Sequence, residues 1–152
     1  MKIAIGNDHA AVAMKNEIVE YLTKQGHEVV NFGTDTNAST SYPIYAEKVS
    51  KVVLSGECER GILICGTGIG ISIAANKIKG VRCAHCADAE SAKLSRQHNN
   101  ANIVAFGARI IGAVTAQSIV DAFINTDFDG GRHQLRIDMI TELENNQTIK
   151  AK

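Results

Sequence analysis

Short runs of β-branched and aliphatic residues alternate along this chain with longer segments whose apolar positions recur at helical spacing. Lys2-Ile3-Ala4-Ile5 reads as a buried strand, and the stretch from Ala11 to Lys24 places Met14, Ile18 and Leu22 on one helical face. Gly26 suits the left-handed position beyond that helix. His27 to Phe32 reads as a second strand. A polar loop rich in Thr, Asn and Ser then leads to Pro43, which opens a helix running to about Leu54. Gly61-Ile62-Leu63-Ile64-Cys65 is a third strand, apolar throughout and so buried on both faces. Three more pairings are predicted: the third strand with a helix from Ile69 to Lys77, a strand Val81–Cys86 with a helix from Ala89 to Arg96, and a strand Asn102–Phe106 with a helix from Val114 to Asn125.

Five strand–helix units in strict alternation predict an α/β fold. Crossovers between parallel strands are right-handed and carry helices, so both faces of the sheet are covered. The expected architecture is a three-layer α/β/α sandwich on a five-stranded parallel sheet, Rossmann-like in its winding. The chain of 152 residues suits one domain, residues 1–152, with a helical tail from about residue 130. In such sheets ligands bind beyond the carboxyl ends of the strands, which directs attention to the loops starting at Gly6, Gly33, Cys65, Ala87 and Gly107.

Composition narrows the function. Hydrophobic residues make up 45% and charged residues 21%, and no apolar run has the length of a membrane span. The first residues read as a strand and turn rather than a secretory signal, so a cytoplasmic location is expected. Lys and Arg balance Asp and Glu at 16 each, which leaves no overall field to attract nucleic acid or anionic lipid. Any anion site must be local. The four cysteines are expected to stay reduced. Cys83 and Cys86, three apart on a strand, point to opposite faces and cannot share one metal, so they read as core residues.

The loop Cys65-Gly66-Thr67-Gly68-Ile69-Gly70 carries the strongest chemical signal. Its glycines let backbone approach a ligand, and the following helix points free N–H groups and its positive end to the same place. Ile71 stands where a dinucleotide fingerprint needs its third glycine, and no Gly-Lys-Ser/Thr closes a nucleotide P-loop. A nicotinamide cofactor is disfavoured, and the loop reads as an anion cradle. A thiol at its mouth sits by the positive helix end, which favours the thiolate. Cys65 is therefore a candidate proton-transfer base alpha to a carbonyl, with nucleophilic attack as its competing use.

Asn7-Asp8-His9 follows the first strand at the same sheet edge. Gln97-His98-Asn99-Asn100 ends a helix, which puts it at the opposite edge, where it can join the site only from a neighbouring subunit or serve as a helix cap. Arg132 and Arg136 are four apart, on one face if a helix begins there, and suit either a phosphate or a solvated surface. Arg109 is equally open.

Five ordered motifs carry a resemblance over almost the whole chain. Gly6-Asn7-Asp8-His9-Ala10, Gly61 to Gly70, Ser95-Arg96-Gln97-His98-Asn99, Gly107-Ala108-Arg109 and Gly130-Gly131-Arg132-His133 resemble those of type B ribose-5-phosphate isomerases and their hexose-6-phosphate relatives. The resemblance implies an aldose–ketose isomerase interconverting ribose 5-phosphate and ribulose 5-phosphate through an enediolate. Its alternatives are a hexose-6-phosphate (allose or galactose) isomerase or, on the reading of Cys65 alone, a thiol-dependent hydrolase or transferase. It further implies a homodimer or dimer of dimers with sites at the interface, no cofactor and no metal. By the same resemblance Cys65 moves the proton between C1 and C2, Thr67 and His98 assist ring opening, and Asn99 with the backbone of Gly66, Gly68, Ile69 and Gly70 stabilises the enediolate. Asp8 binds sugar hydroxyls, while His9, Arg109, Arg132 and Arg136 hold the phosphate. His98, Asn99 and Arg109 come from the partner subunit. Two positions depart from the pattern: Ala11 replaces the usual glycine, and Ser41 stands before Tyr42-Pro43 where Asp is common. The second bears on sugar identity more than on reaction type.

Overall fold

The computed structural model describes residues 1–150. Five strands, β1 (Lys2–Asn7), β2 (Glu28–Asn31), β3 (Arg60–Cys65), β4 (Cys83–His85) and β5 (Ile103–Gly107), form one parallel sheet in the order β2-β1-β3-β5-β4. Register brings Gly6 opposite Leu63 and Cys65 opposite Gly107, so the ends of the three central strands are level. That alignment lets their loops share one surface.

Period-two alternation in the central strands sorts side chains between two cores. Ile3, Ile5, Ile62, Ile64, Val104 and Phe106 point to the face covered by α1 (Val12–Lys24), α4 (Ala89–Asn99) and α5 (Ala113–Ile124). Ala4, Leu63, Cys65, Ile103 and Ala105 point to the face covered by α2 (Tyr42–Leu54) and α3 (Ile69–Asn76). The three-layer sandwich is therefore the observed architecture. Cys83 packs against the second core and Cys86 lies in the first, on opposite faces as the strand geometry requires. Burial pushes the Cys83 thiol far up and the Cys86 thiol up to about 11, so neither is a thiolate near neutral pH.

Element ends follow local chemistry. Helix α1 closes with Gln25 and then Gly26 at φ +89°, and the His27 N–H returns to the Leu22 carbonyl. A short 3₁₀ turn, His9–Ala11, precedes α1 and is capped by Asp8, whose Oδ1 accepts from the Ala10 N–H at 3.0 Å. Ala11 is buried in the first core, so the departure from glycine there fills space among apolar neighbours.

Two elements differ from expectation by three residues, while the other ends shift by at most two. Strand β4 is shorter than Val81–Cys86 because side chains satisfy its start: Asn102 Oδ1 takes the Arg82 N–H and Asn76 Oδ1 takes the Cys83 N–H, both at 2.8 Å. Helix α4 runs three residues past Arg96 and ends where Asn100 adopts φ +45°, its N–H bonded to the Arg96 carbonyl. A last helix, α6 (Arg132–Glu144), buries His133 and Ile137, and the Glu144 carboxylate accepts the Gly80 N–H at 3.1 Å. Among the described residues no helix is long and apolar enough to cross a membrane.

Candidate active site

The loop after β3 lies directly on the end of β5. A Cβ on Gly68 would fall 2.5 Å from the Phe106 carbonyl carbon, and one on Gly107 would fall 2.5 Å from the Thr67 backbone. Gly68 also holds φ +77°, a conformation that side chains resist. These two glycines seat the loop. The Ala108 and Arg109 N–H groups then donate to the Cys65 and Gly66 carbonyls at 2.9 Å, fixing the two loops to one another.

Cys65 sits at the mouth of this cradle, 4% exposed, and its Sγ accepts the Gly68 N–H at 3.1 Å. This hydrogen bond from a backbone donor at the start of α3 fixes the sulfur at the mouth of the cradle. Thr67 Oγ1 accepts the Ile69 N–H at 3.2 Å, which caps the first turn of α3 and leaves the hydroxyl proton free to donate elsewhere. The Arg109 guanidinium packs over Gly66, with Nη1 3.2 Å from where a Cβ would stand. The resemblance places Arg109 on the partner's side; in this chain it lies against its own Gly66.

Asp8 and His9 belong to the same edge. The Asp8 N–H donates to the Ile64 carbonyl at 3.2 Å, and Asp8 is 7% exposed. His9 Nδ1 accepts the Thr40 N–H at 3.2 Å, so the ring carries its proton on Nε2 when neutral. The loop that brings Thr40 there is tied down twice more: Asn7 Nδ2 donates to the Thr34 carbonyl at 3.1 Å, and buried Lys15 pairs with Asp35.

A second group of candidates lies at the other edge of the sheet. His98, near the end of α4, stacks on His133 with ring centroids 4.4 Å apart and planes 13° from parallel. Arg132 and Arg136 flank His133 on α6, and both are exposed. Burial first, then the charges of His98, Arg132 and Arg136, hold the His133 pKa below its ordinary value. Arg96 anchors this end of α4: its guanidinium donates to the Thr126 and Ala101 carbonyls and to Asn100 Oδ1. Burial lowers its pKa to about 10, still far above neutrality. Asn99 is exposed, and its carbonyl accepts from Arg82 Nε at 2.9 Å. Within one chain, then, Asp8, His9, residues 65–70 and Arg109 gather at one pole, and His98, Asn99, Arg132 and Arg136 at the other.

Three residues at these poles carry no role in the sequence reading. The Tyr42 ring covers Gly70, 2.7 Å from where a Cβ would stand, and His85 Nε2 lies 3.0 Å from the Thr67 carbonyl. His133 is the third. Tyr42 and His85 stand at the start of a helix and the end of a strand, positions that face the ligand edge in this topology, and that placement was the available signal.

Comparison with known proteins agrees with this fold. Residues 3–140 match the model of a family described as Ribose/Galactose Isomerase. The chain is 50% identical over 143 residues to ribose-5-phosphate isomerase B of Escherichia coli strain K12, covering 94% of this chain and 96% of that protein. It is 40% identical over 148 residues to a D-erythrulose-4-phosphate isomerase of Pectobacterium atrosepticum, covering 97% of each. A solved structure of ribose-5-phosphate isomerase B from Clostridium thermocellum superposes with a TM-score of 0.94 at 51% identity, covering 96% of this chain and 99% of that one. The fold is thus that of sugar-phosphate isomerases with a doubly wound parallel sheet. This chain belongs to the ribose/galactose isomerase family.

Proposed function

We propose that this protein interconverts ribose 5-phosphate and ribulose 5-phosphate by proton transfer. The observation that carries the reading is the Cys65 thiol, hydrogen-bonded by the Gly68 N–H inside a glycine cradle at the carboxyl edge of the sheet. In the open-chain aldose the Cys65 thiolate takes the proton from C2. The C2–H electron pair becomes the C1–C2 double bond, and the carbonyl pair moves onto O1, giving an enediolate. Backbone N–H groups of residues 66–70 that are not already given to Cys65 Sγ or Thr67 Oγ1, together with Asn99, stabilise that charge where it develops. The proton on O2 passes to O1, the electron pair left on O2 forms the C2 carbonyl as C1 takes the proton back from the thiol, and the ketose results. Thr67 and His98 serve the earlier ring opening, and Asp8 holds sugar hydroxyls.

His9 and the arginines take the phosphate. With Nδ1 occupied by Thr40, His9 offers Nε2–H, a donor even when the ring is uncharged. Arg132 and Arg136 add charge-assisted bonds from an exposed, outward-facing helix start. Because His98, Asn99, Arg132 and Arg136 lie at the pole away from Cys65, a complete site needs two copies of the chain, one supplying each pole. We therefore read the active unit as a homodimer, with a dimer of dimers as its possible extension, in which residues 1–152 form one isomerase domain per copy. The relatives named above support a sugar-phosphate substrate and an isomerase over a thiol hydrolase.

The test is an isomerisation assay in deuterated water with ribose, erythrulose, allose and galactose phosphates. Turnover should be fastest with ribose 5-phosphate, with solvent deuterium appearing at C1 of the ketose. Full retention of the substrate hydrogen would point to a hydride shift and remove Cys65 as the base. Faster turnover of a tetrose or hexose phosphate would reassign the substrate and keep the mechanism.

A further inference from the structure

At the pole away from Cys65, a ring nitrogen of His98, a ring nitrogen of His133 and a carboxylate oxygen of Asp129 all lie within 4.8 Å of one another. Two imidazoles and one carboxylate are a donor set suited to zinc and its neighbours, and three protein ligands leave a coordination position open. The three come from different pieces of chain, and the fold holds them together. The Asp129 N–H donates to the Gln97 carbonyl at 3.1 Å, tying the carboxylate to the turn of α4 that carries His98. Gly130 at φ +65° and Gly131 at φ +55° then turn the chain so that His133 comes back onto His98.

We propose that His98, Asp129 and His133 form a binding site for a divalent transition-metal ion, and that an ion held there inhibits isomerisation by withdrawing the His98 ring from ring opening. Donors around a tetrahedral ion with bonds near 2.1 Å stand about 3.4 Å apart. In the stack the in-plane lone pairs of the two rings run side by side, so binding turns the part-exposed His98 ring out of the stack and draws in the exposed Asp129 carboxylate from within 4.8 Å, while His133, 7% exposed, stays in place. Arg132 and Arg136 bear on the same spot and oppose any cation held by charge alone. Mg²⁺ and Ca²⁺, which rely on several anionic oxygens, are therefore excluded, whereas Zn²⁺, Ni²⁺ and Cu²⁺ gain from the imidazole bonds. Binding stands on the geometry; the inhibition rests on the isomerase reading above.

Calorimetry with Zn²⁺ tests the site, using a Cys65→Ser chain so that the thiol cannot contribute. The expected result is one ion per chain, no binding of Mg²⁺ or Ca²⁺, and at least tenfold weaker Zn²⁺ binding when Asp129→Ala or His133→Asn is added. Asp129 is exposed, so its replacement leaves the fold intact. In the wild type, Zn²⁺ should inhibit, a chelator should restore turnover, and Asp129→Ala should keep basal activity while needing at least ten times more Zn²⁺. Loss of Zn²⁺ binding in Cys65→Ser, or affinity and inhibition unchanged by Asp129→Ala, would overturn the proposal and place the metal on the thiol. Failure of the metal-free wild type to isomerise any sugar phosphate would instead sink the functional reading, and the calorimetry would still decide the site.

Discussion

Replacing Cys65 with Ala removes the proposed base and leaves the glycine cradle in place. A positioned proton-transfer group contributes about 10²–10⁴-fold, so kcat should fall by at least that much while binding of the sugar phosphate persists. Near-normal turnover by the variant would acquit the thiol. At the other pole, each charge-assisted hydrogen bond to phosphate is worth about 1.5–3 kcal/mol. Arg132→Ala and Arg136→Ala should each lower kcat/KM for the phosphorylated sugar by about ten- to a hundredfold, and should cost the unphosphorylated sugar much less. Equal losses on both sugars would make these arginines structural. The residue types at both poles were legible in the sequence, because thiol, imidazole and guanidinium advertise their chemistry. The partners that orient them were not: nothing local links Thr40 to His9 or His98 to His133, since each pair is joined by long-range packing.

Among the elements, the helix starts carry the clearest local physics. Asp88 caps α4, its carboxylate accepting the Ser91 N–H at 2.7 Å, and this backbone bond, followed by the Ser91 hydroxyl, holds the Asp88 carboxyl below the usual range. A lowered folded pKa means the unfolded chain binds more protons, so the stabilisation is complete above the unfolded pKa and is lost as pH falls through the folded one. Asp88→Ala should therefore lower the Tm at pH 7, and the gap should narrow as pH falls below the ordinary carboxylate range. A gap that stayed constant across that range would show that the charge is not what caps the helix. The loop opening α3 makes a steric prediction. Gly68→Ala meets both a left-handed φ and the Phe106 carbonyl carbon, so it should cost on the order of 1–3 kcal/mol and displace Cys65 with it. Denaturant midpoints read with turnover would check both effects. Periodicity located all of the principal helices and strands, while their ends depended on side chains from elsewhere: Asn76 and Asn102 shorten β4, and Arg96 and Asn100 hold the extended end of α4.

At the scale of the whole molecule, the separation of the two poles governs what one chain can do. If each site draws Cys65 from one copy and His98 from the other, an inactive Cys65→Ala chain and an inactive His98→Ala chain should restore activity when mixed. Each mixed dimer holds one intact site and one doubly defective site. With free exchange at equal amounts, half the dimers are mixed, so recovery should approach about a quarter of wild-type activity. No recovery after exchange has been demonstrated by mass spectrometry would mean that the site closes within a single chain. The cavity of about 410 Å³ between α6 and the β4 edge is lined by Asn76, Cys83, Asn99, Ile140 and Leu143 and by none of residues 65–70.

By itself the sequence determined the strand–helix alternation, the parallel sheet that alternation requires, and the thiol in its glycine loop. Those features depend on residue spacing, chain stiffness and backbone freedom, all of which act over a few residues. Only the tertiary structure decided which candidates share a pole. It set Arg109 against Gly66 of its own chain, put Arg132 and Arg136 beside His133, and revealed the His98–Asp129–His133 cluster. Strand order and helix packing govern those distances, and both are settled by burying two apolar faces of one sheet at once, a constraint that no short window of sequence contains.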